Sequence, residues 1–161
     1  LDCEQQPAPH ERATAVAMTS WASLKEKFRT SERCDEASCH DKDKSVVDED
    51  AVEPPDRAEI GRATWRYLHA MAAEHPVEAT KEQQESSNLW LLSFVQLYPC
   101  KHCAEHFVGV CEAMPPQLAT RHAYSVWWCN AHNKVNESLM KQLRRCEPDQ
   151  LIEIGRLGCF L

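Results

Sequence analysis

Glycine is scarce in this chain, with four among 161 residues. No G-x-G-x-x-G occurs, which excludes the glycine-rich phosphate turn of a Rossmann-type dinucleotide site. No apolar run approaches the roughly 20 residues that span a bilayer as a helix. No signal-peptide pattern is visible either, and the chain opens on leucine rather than methionine, which fits removal of an N-terminal segment. Strand-type alternation is also missing, so no βαβ pattern accompanies the cysteines. Nor is there an excess of positive charge. The net charge is −7, and residues 1–56 carry 7 Lys+Arg against 14 Asp+Glu, while residues 57–161 carry 11 of each. The acidity therefore belongs to the first third, as a solvated arm would have it, and argues against nucleic acid as the main ligand.

Cysteine, by contrast, is abundant. Nine residues, Cys3, Cys34, Cys39, Cys100, Cys103, Cys111, Cys129, Cys146 and Cys159, point to disulfides, metal or redox work. The acidic arm reads as largely disordered, with one exception. From Ala13 to Thr30, Ala17, Trp21, Leu24 and Phe28 recur at helical spacing, which predicts an amphipathic helix, either docked or only transiently formed. Cys34 and Cys39 follow as a CxxxxC. Such a pair on a mobile acidic arm can form a disulfide and carry it elsewhere; two inert thiols or half a metal site are the alternatives. Pro54-Pro55-Asp56 marks a boundary, giving an arm over 1–56 and a domain over 57–161.

The domain reads as helices joined by short loops. The first runs from about Ala58 to Glu74 and aligns Gly61, Trp65 and His69 at i, i+4 and i+8. An indole and an imidazole beside a glycine can line a flat aromatic ligand, or simply pack a core. Thr80-x-x-Gln83 reads as a capping box opening a second helix that runs to about Tyr98, apolar nearly all round in its second half. A third helix spans about Cys100 to Ala113, a fourth Thr120 to Leu143, and a short fifth Pro148 to Leu157. On the fourth, Cys129, His132, Asn133 and Asn136 form one polar stripe. If that stripe faces inward its groups need hydrogen-bond partners, and with nearby Lys141 it suits a ligand bearing nitrogens, hydroxyls and phosphates.

Tyr98-Pro99-Cys100-Lys101-His102-Cys103 sits where the second helix stops and the third begins. A sulfur at a helix N-terminus is stabilised as thiolate by unpaired N–H groups and the helix dipole. The spacing serves thiol–disulfide exchange, and it equally serves zinc: Cys100-x-x-Cys103 with Cys129-x-x-His132 is the ligand inventory of a structural site. The zinc reading makes the protein a metal-stabilised helical interaction module. Against it stand the mid-helix position of the second pair and an asparagine stripe left without a task. The redox reading places a dithiol near a pocket for an aromatic, phosphate-bearing cofactor that takes two electrons, as a flavin does.

Three segments, GRATWRYLH at 61–69, YPCKHCAEHF at 98–107 and WWCNAHNKVNESLMK at 127–141, resemble the Erv/ALR flavin-linked sulfhydryl oxidases in order and spacing. The resemblance implies an all-α fold, a four-helix bundle plus a short fifth helix, usually homodimeric, binding FAD at the bundle's mouth and no metal. It implies that Cys100 and Cys103 are the redox pair, with Cys103 toward the flavin and Cys100 toward the incoming disulfide partner. Gly61, Arg62, Trp65, His69, Tyr98, Cys129, His132, Asn133, Val135, Asn136 and Lys141 match FAD-binding positions, and Cys129–Cys146 matches a structural disulfide. Electrons would pass from a dithiol protein substrate, or an upstream import oxidoreductase, to Cys34–Cys39, then to Cys100–Cys103, to FAD, and to oxygen as hydrogen peroxide or to cytochrome c. The implied location is the mitochondrial intermembrane space, with the secretory pathway as alternative. Two departures are visible. Residues 148–153 lack the family's Arg-Trp pair, and Glu53 stands where animal members carry a dimer-linking cysteine.

Overall fold

The computed structural model describes residues 20–30 and 55–157. Among them are six helices: α1 (Trp21–Thr30), α2 (Arg57–Ala73), α3 (Lys81–Leu97), α4 (Lys101–Ala113), α5 (Arg121–Ser138) and α6 (Pro148–Leu157). The expected four-helix bundle is α2 to α5, and α6 is the short fifth helix.

Local chemistry sets the boundaries. Asp56 caps α2 by accepting the Glu59 N–H at 2.6 Å, while the Glu59 carboxylate accepts the Asp56 N–H. Thr80 and Gln83 make the same reciprocal box on α3, so two orphan donors are satisfied at each start. Thr120 caps α5 through the Ala123 N–H. Proline opens α6, where its missing N–H costs nothing. The fourth bundle helix stops at Ser138, short of the expected Leu143. Its end is set by Met140, which takes φ 53°, and by the Lys141 N–H, which turns back to Asn136 O at 2.8 Å.

α2 and α5 run antiparallel. Ser125 Oγ donates to Ala72 O at one end of their contact, and Trp65 meets His132 at the other. Between the helices lies an aromatic core. Trp127 and Trp128 are buried with Tyr124 and Phe107, surrounded by Leu68, Leu91, Val95 and Val108. The bundle end opposite the CxxC is clasped shut. Ala79 N–H donates to Ala119 O at 2.9 Å, Arg121 Nε to His75 O at 2.6 Å, and His75 Nε2 to Leu118 O at 3.0 Å. Those bonds tie the α2–α3 loop to the α4–α5 loop.

Of the two readings of the amphipathic arm segment, the structure takes the docked one from Trp21 onward; residues 13–19 lie outside the described residues. α1 packs on α4 and α3. Leu24 is fully buried, Trp21 and Phe28 pack against the core, and Lys25 Nζ pairs with Glu112 at 2.6 Å.

α6 lies on α2 and α5. Its approach to α2 depends on Gly155, where a Cβ would sit 2.7 Å from Ala73 Cβ and 2.8 Å from the His69 carbonyl oxygen. The second neighbour is backbone and cannot swing away. Gly155→Ala is therefore expected to cost about 1–3 kcal/mol through overpacking, although alanine is the better helix former. Urea unfolding checks this: an unchanged or raised midpoint would mean that α6 is not docked this closely.

Candidate active site

The site begins where α3 stops. Tyr98 ends that helix with extended backbone, Pro99 follows, and Cys100 becomes the N-cap of α4. Its Sγ accepts the Cys103 N–H at 3.3 Å. Cys100 and Cys103 are joined as a cystine with Cα atoms 5.3 Å apart, within the range a disulfide spans. The first turn of α4 carries Lys101 and His102 and no acidic residue, so nothing there offsets the helix dipole's pull on a thiolate. Cys100 is 8% exposed, and Cys103 is half-buried.

One helical turn beyond Cys103, Phe107 shares its face of α4. Phe107 meets Trp65 of α2 edge-on, with ring centroids 6.1 Å apart. Trp65 in turn stacks on His132 of α5, centroids 4.0 Å apart and planes within 5°. His69 Nε2 lies 3.1 Å from His132 Nδ1. The two-helix stripe and the CxxC thus converge, with Phe107 between them.

The imidazoles are held neutral. Burial, then His132 and Arg144, lowers the His69 pKa to about 3. Burial, then Arg144 and Lys141, lowers that of His132 to about 4. At neutral pH one ring must donate to the other. The local positive charge comes instead from Arg144 and Lys141, which suit an anionic group.

The asparagines of the polar stripe find their partners in the chain itself. Asn133 Nδ2 donates to Arg144 O at 2.8 Å, and Asn133 Oδ1 accepts the Arg144 N–H at 2.9 Å. Asn136 Nδ2 reaches Gln142 O at 3.4 Å. Both amides therefore hold the 139–147 loop against α5. That loop is stapled by the Cys129–Cys146 cystine, Cα atoms 5.7 Å apart and 17 residues apart in sequence, a closure that contributes roughly 3 kcal/mol. With Cys100, Cys103 and Cys129 all in disulfides, the CxxC…CxxH zinc set has lost three of its ligands. Of the other expected positions, Val135 and Tyr98 pack on the core edge, Arg62 is exposed, and a Cβ at Gly61 would meet nothing within 4 Å. Cys34 and Cys39 lie outside the described residues. Sequence reasoning passed over Phe107 and Arg144 as site residues. The first had a signal, being one turn after Cys103; the second was one basic residue of several.

The class is thus an α-helical bundle with a cystine at the N-terminus of one helix, joined through Phe107 to a cluster of aromatic rings and neutral imidazoles. A model of the Erv1 / Alr family matches residues 62–154, and the chain belongs to that family. It is 41% identical over 103 residues to the FAD-linked sulfhydryl oxidase ERV2 of Saccharomyces cerevisiae, covering 64% of this chain and 52% of that protein. It is 43% identical over 106 residues to the FAD-linked sulfhydryl oxidase ERV1 of Oryza sativa subsp. japonica, covering 66% and 54%. The chain spans about half the length of the curated relatives it matches. The crystal structure of the yeast Erv1 core superposes with a TM-score of 0.61 at 31% identity, over 73% of this chain and 95% of that one.

The imidazole pair makes stability depend on pH with a definite sign. Unfolded histidines take up protons near pH 6.5, whereas the folded pair does so only near 4 and 3. This contribution is complete above 6.5 and is lost as pH falls through that window. Chemical unfolding at pH 7, 6 and 5 is expected to show declining stability. His132→Phe, which keeps an aromatic ring against Trp65 and removes one proton site, should flatten the decline; an unaltered slope would place the titration elsewhere.

Proposed function

We propose that this chain is an FAD-dependent thiol oxidase that makes disulfides in dithiol protein substrates. The observation that carries the reading is the Cys100–Cys103 cystine at the N-cap of α4, one helical turn from the Phe107–Trp65–His132 contact. The donor set fits FAD. Trp65, His132 and Tyr98 offer aromatic surface, with His69 buried behind His132 as its hydrogen-bond partner, and Gly61 leaves room where any other residue would project a side chain. Val135 supplies an apolar edge. Arg62, Lys141 and Arg144 supply cations for the phosphates. Asn133, Asn136 and the Cys129–Cys146 staple fix the wall that carries the last two. Arg144 is thus a candidate to supply the arginine that residues 148–153 lack.

The chain's own chemistry is disulfide exchange. A substrate thiolate attacks Cys100 Sγ, the Cys100–Cys103 bond breaks, and Cys103 leaves as thiolate. The substrate's second thiol then attacks the mixed disulfide and releases Cys100, so the substrate is oxidised and the core pair reduced. The N–H groups of the first turn of α4, with the Cys103 N–H already directed at Cys100 Sγ, stabilise the sulfur anions formed. Cys103 is assigned the electron exit because its face of α4 leads through Phe107 to Trp65. The chemistry that FAD supplies when bound is acceptance of an electron pair from a dithiol and its release to oxygen, as hydrogen peroxide, or to cytochrome c. Cys34–Cys39 is the proposed shuttle ahead of the core pair, and an upstream import oxidoreductase is an alternative donor.

A homodimer is proposed through α2 and α3. Their outer face exposes Tyr67, Leu89 and Leu97 and carries a groove of about 260 Å³ lined by Met71, His75, Ser86, Ser87, Trp90 and Tyr124. A second copy covering it would bury an apolar patch that a monomer leaves wet. No described helix is long and apolar enough to cross a membrane. The proposed location is the mitochondrial intermembrane space, supported by relatives in Saccharomyces cerevisiae and Schizosaccharomyces pombe named as mitochondrial; the secretory pathway is the alternative.

The purified protein is expected to be yellow, to bleach with dithiothreitol and to recover colour in air while consuming oxygen. Cys103→Ala should keep the colour and lose at least about 100-fold in turnover with any thiol; retained turnover would sink the assignment. Cys34→Ala should slow oxidation of a protein dithiol and spare that of dithiothreitol. Equal loss with both substrates would remove the shuttle role.

A further inference from the structure

We propose that the turn after α5 is a lipid-binding tip, which seats Leu139, Met140 and Leu143 in a membrane surface rich in anionic phospholipid. The proposal stands apart from the flavin reading. The first observation is where apolar surface lies. Leu139 and Leu143 are each more than half exposed and Met140 is 95% exposed, three large apolar side chains within five residues. The second is charge. Lys141, Arg144 and Arg145 interleave with them, and residues 138–146 contain no Asp or Glu. Glu137, just ahead of the turn, is paired with Lys134 at 2.9 Å. Residues 57–161 as a whole carry 11 basic and 11 acidic residues, so this concentration of positive charge is local.

The third observation is backbone. The Lys141 N–H returns to Asn136 O at 2.8 Å and the Met140 N–H to Glu137 O at 3.1 Å, the two bonds of a Schellman ending. Its pivotal residue takes left-handed backbone, and Met140 does so at φ 53°. Glycine adopts that conformation freely, whereas a β-carbon resists it. The chain thus accepts backbone strain to place a methionine where solvent surrounds it, and strain of this kind points to a use for the side chain. Nor is the turn free to bury itself. Its returning segment is held to α5 by the Asn133 pair with Arg144, by Asn136 at Gln142 O and by the Cys129–Cys146 bond.

A phospholipid surface matches both sets of groups. Its phosphates lie outside its acyl region, so apolar tips enter while the flanking cations stay at headgroup level. The unbranched, polarizable side chain of Met140 adapts to such a disordered medium. Each basic residue beside an anionic surface adds to the attraction, which salt screens. Lys141 and Arg144 also lend charge to the imidazole pocket, so Arg145 is the cation whose part at the lipid can be read without disturbing that pocket. No described helix is long and apolar enough to cross a membrane, and a tip of this size gives a peripheral, reversible attachment.

The test is flotation of the purified full chain with vesicles of phosphatidylcholine, alone or mixed with phosphatidylglycerol. The protein is expected to rise with the mixed vesicles, to stay behind with phosphatidylcholine alone, and to detach as salt is raised. Met140→Gly is the deciding variant, because it relieves the backbone while removing the anchor. Its urea midpoint should hold or rise, yet its partition into mixed vesicles should fall at least about five-fold. Leu143→Gln should lower partition to a similar extent, and decides by the same reading should Met140→Gly fail to fold. Arg145→Glu should weaken it about ten-fold or more, whereas Arg145→Lys should retain it. Circular dichroism establishes that each variant is folded. Equal binding to both kinds of vesicle, or binding to neither, overturns the proposal. Undiminished flotation of folded Met140→Gly and Leu143→Gln overturns it too, and would leave the exposed tip to a contact with protein.

Discussion

The contact between Trp65 and His132 is the constraint on which the rest of the site depends. It is where α2 and α5 close on each other, and it is built from groups that resist being there. His69, behind it, is 3% exposed, and burying an imidazole without a partner is costly. Each ring offers the other a nitrogen at 3.1 Å, so the pair satisfies itself as long as it stays neutral. Burial enforces that neutrality, and the charge of Arg144 adds to it at both rings and that of Lys141 at His132. The same arrangement leaves a parallel pair of flat rings whose indole meets Phe107, one helical turn from Cys103.

Two devices outside the contact keep it in register. On one side, Gly155 lets α6 press against the His69 carbonyl, fixing the backbone of α2 just where its histidine meets His132. On the other, the Cys129–Cys146 cystine and the Asn133 amide draw the 139–147 loop back along α5. That loop brings Arg144 and Lys141 near the imidazoles. The polar stripe on α5 is thus chiefly a loop-holding device, which delivers cations to the site from outside the helix.

The helices were legible because their signals are local. Capping boxes at Asp56 and Thr80, the proline before Cys100 and the proline opening α6 each act within one turn. The i, i+4, i+8 alignment of Gly61, Trp65 and His69 was legible for the same reason. What the sequence left open needed the third dimension. Whether α1 docks depends on a matching surface on α4 and α3, which periodicity in residues 13–30 does not describe. The partners of Asn133 and Asn136 lie in a loop whose path is set by a disulfide across 17 residues. The tight approach at Gly155 is a contact between elements more than 80 residues apart in sequence, and a lone glycine in a short amphipathic helix carries no mark of it. Choosing redox over zinc was likewise beyond spacing alone, since the same four residues serve both until Cys146 claims Cys129.

The two cystines show why one covalent bond can do opposite work. Cys129–Cys146 closes 17 residues, so reducing it would release a sizeable loop into the unfolded ensemble and loosen the wall that holds Arg144. Cys129 is 2% exposed, which shields its own sulfur from attacking thiolates, while Cys146 is half-buried. Cys100–Cys103 has a sequence separation of three, and α4 already fixes the backbone on which both sulfurs sit. Opening it frees little chain. The N-cap sulfur already accepts the Cys103 N–H, and a charged acceptor strengthens such a bond. The fold is thus tolerant of a reduced pair at the start of α4 and intolerant of one at the end of α5. On the proposed function, that difference in the length of chain each bond closes separates the disulfide that turns over from the one that holds the fold.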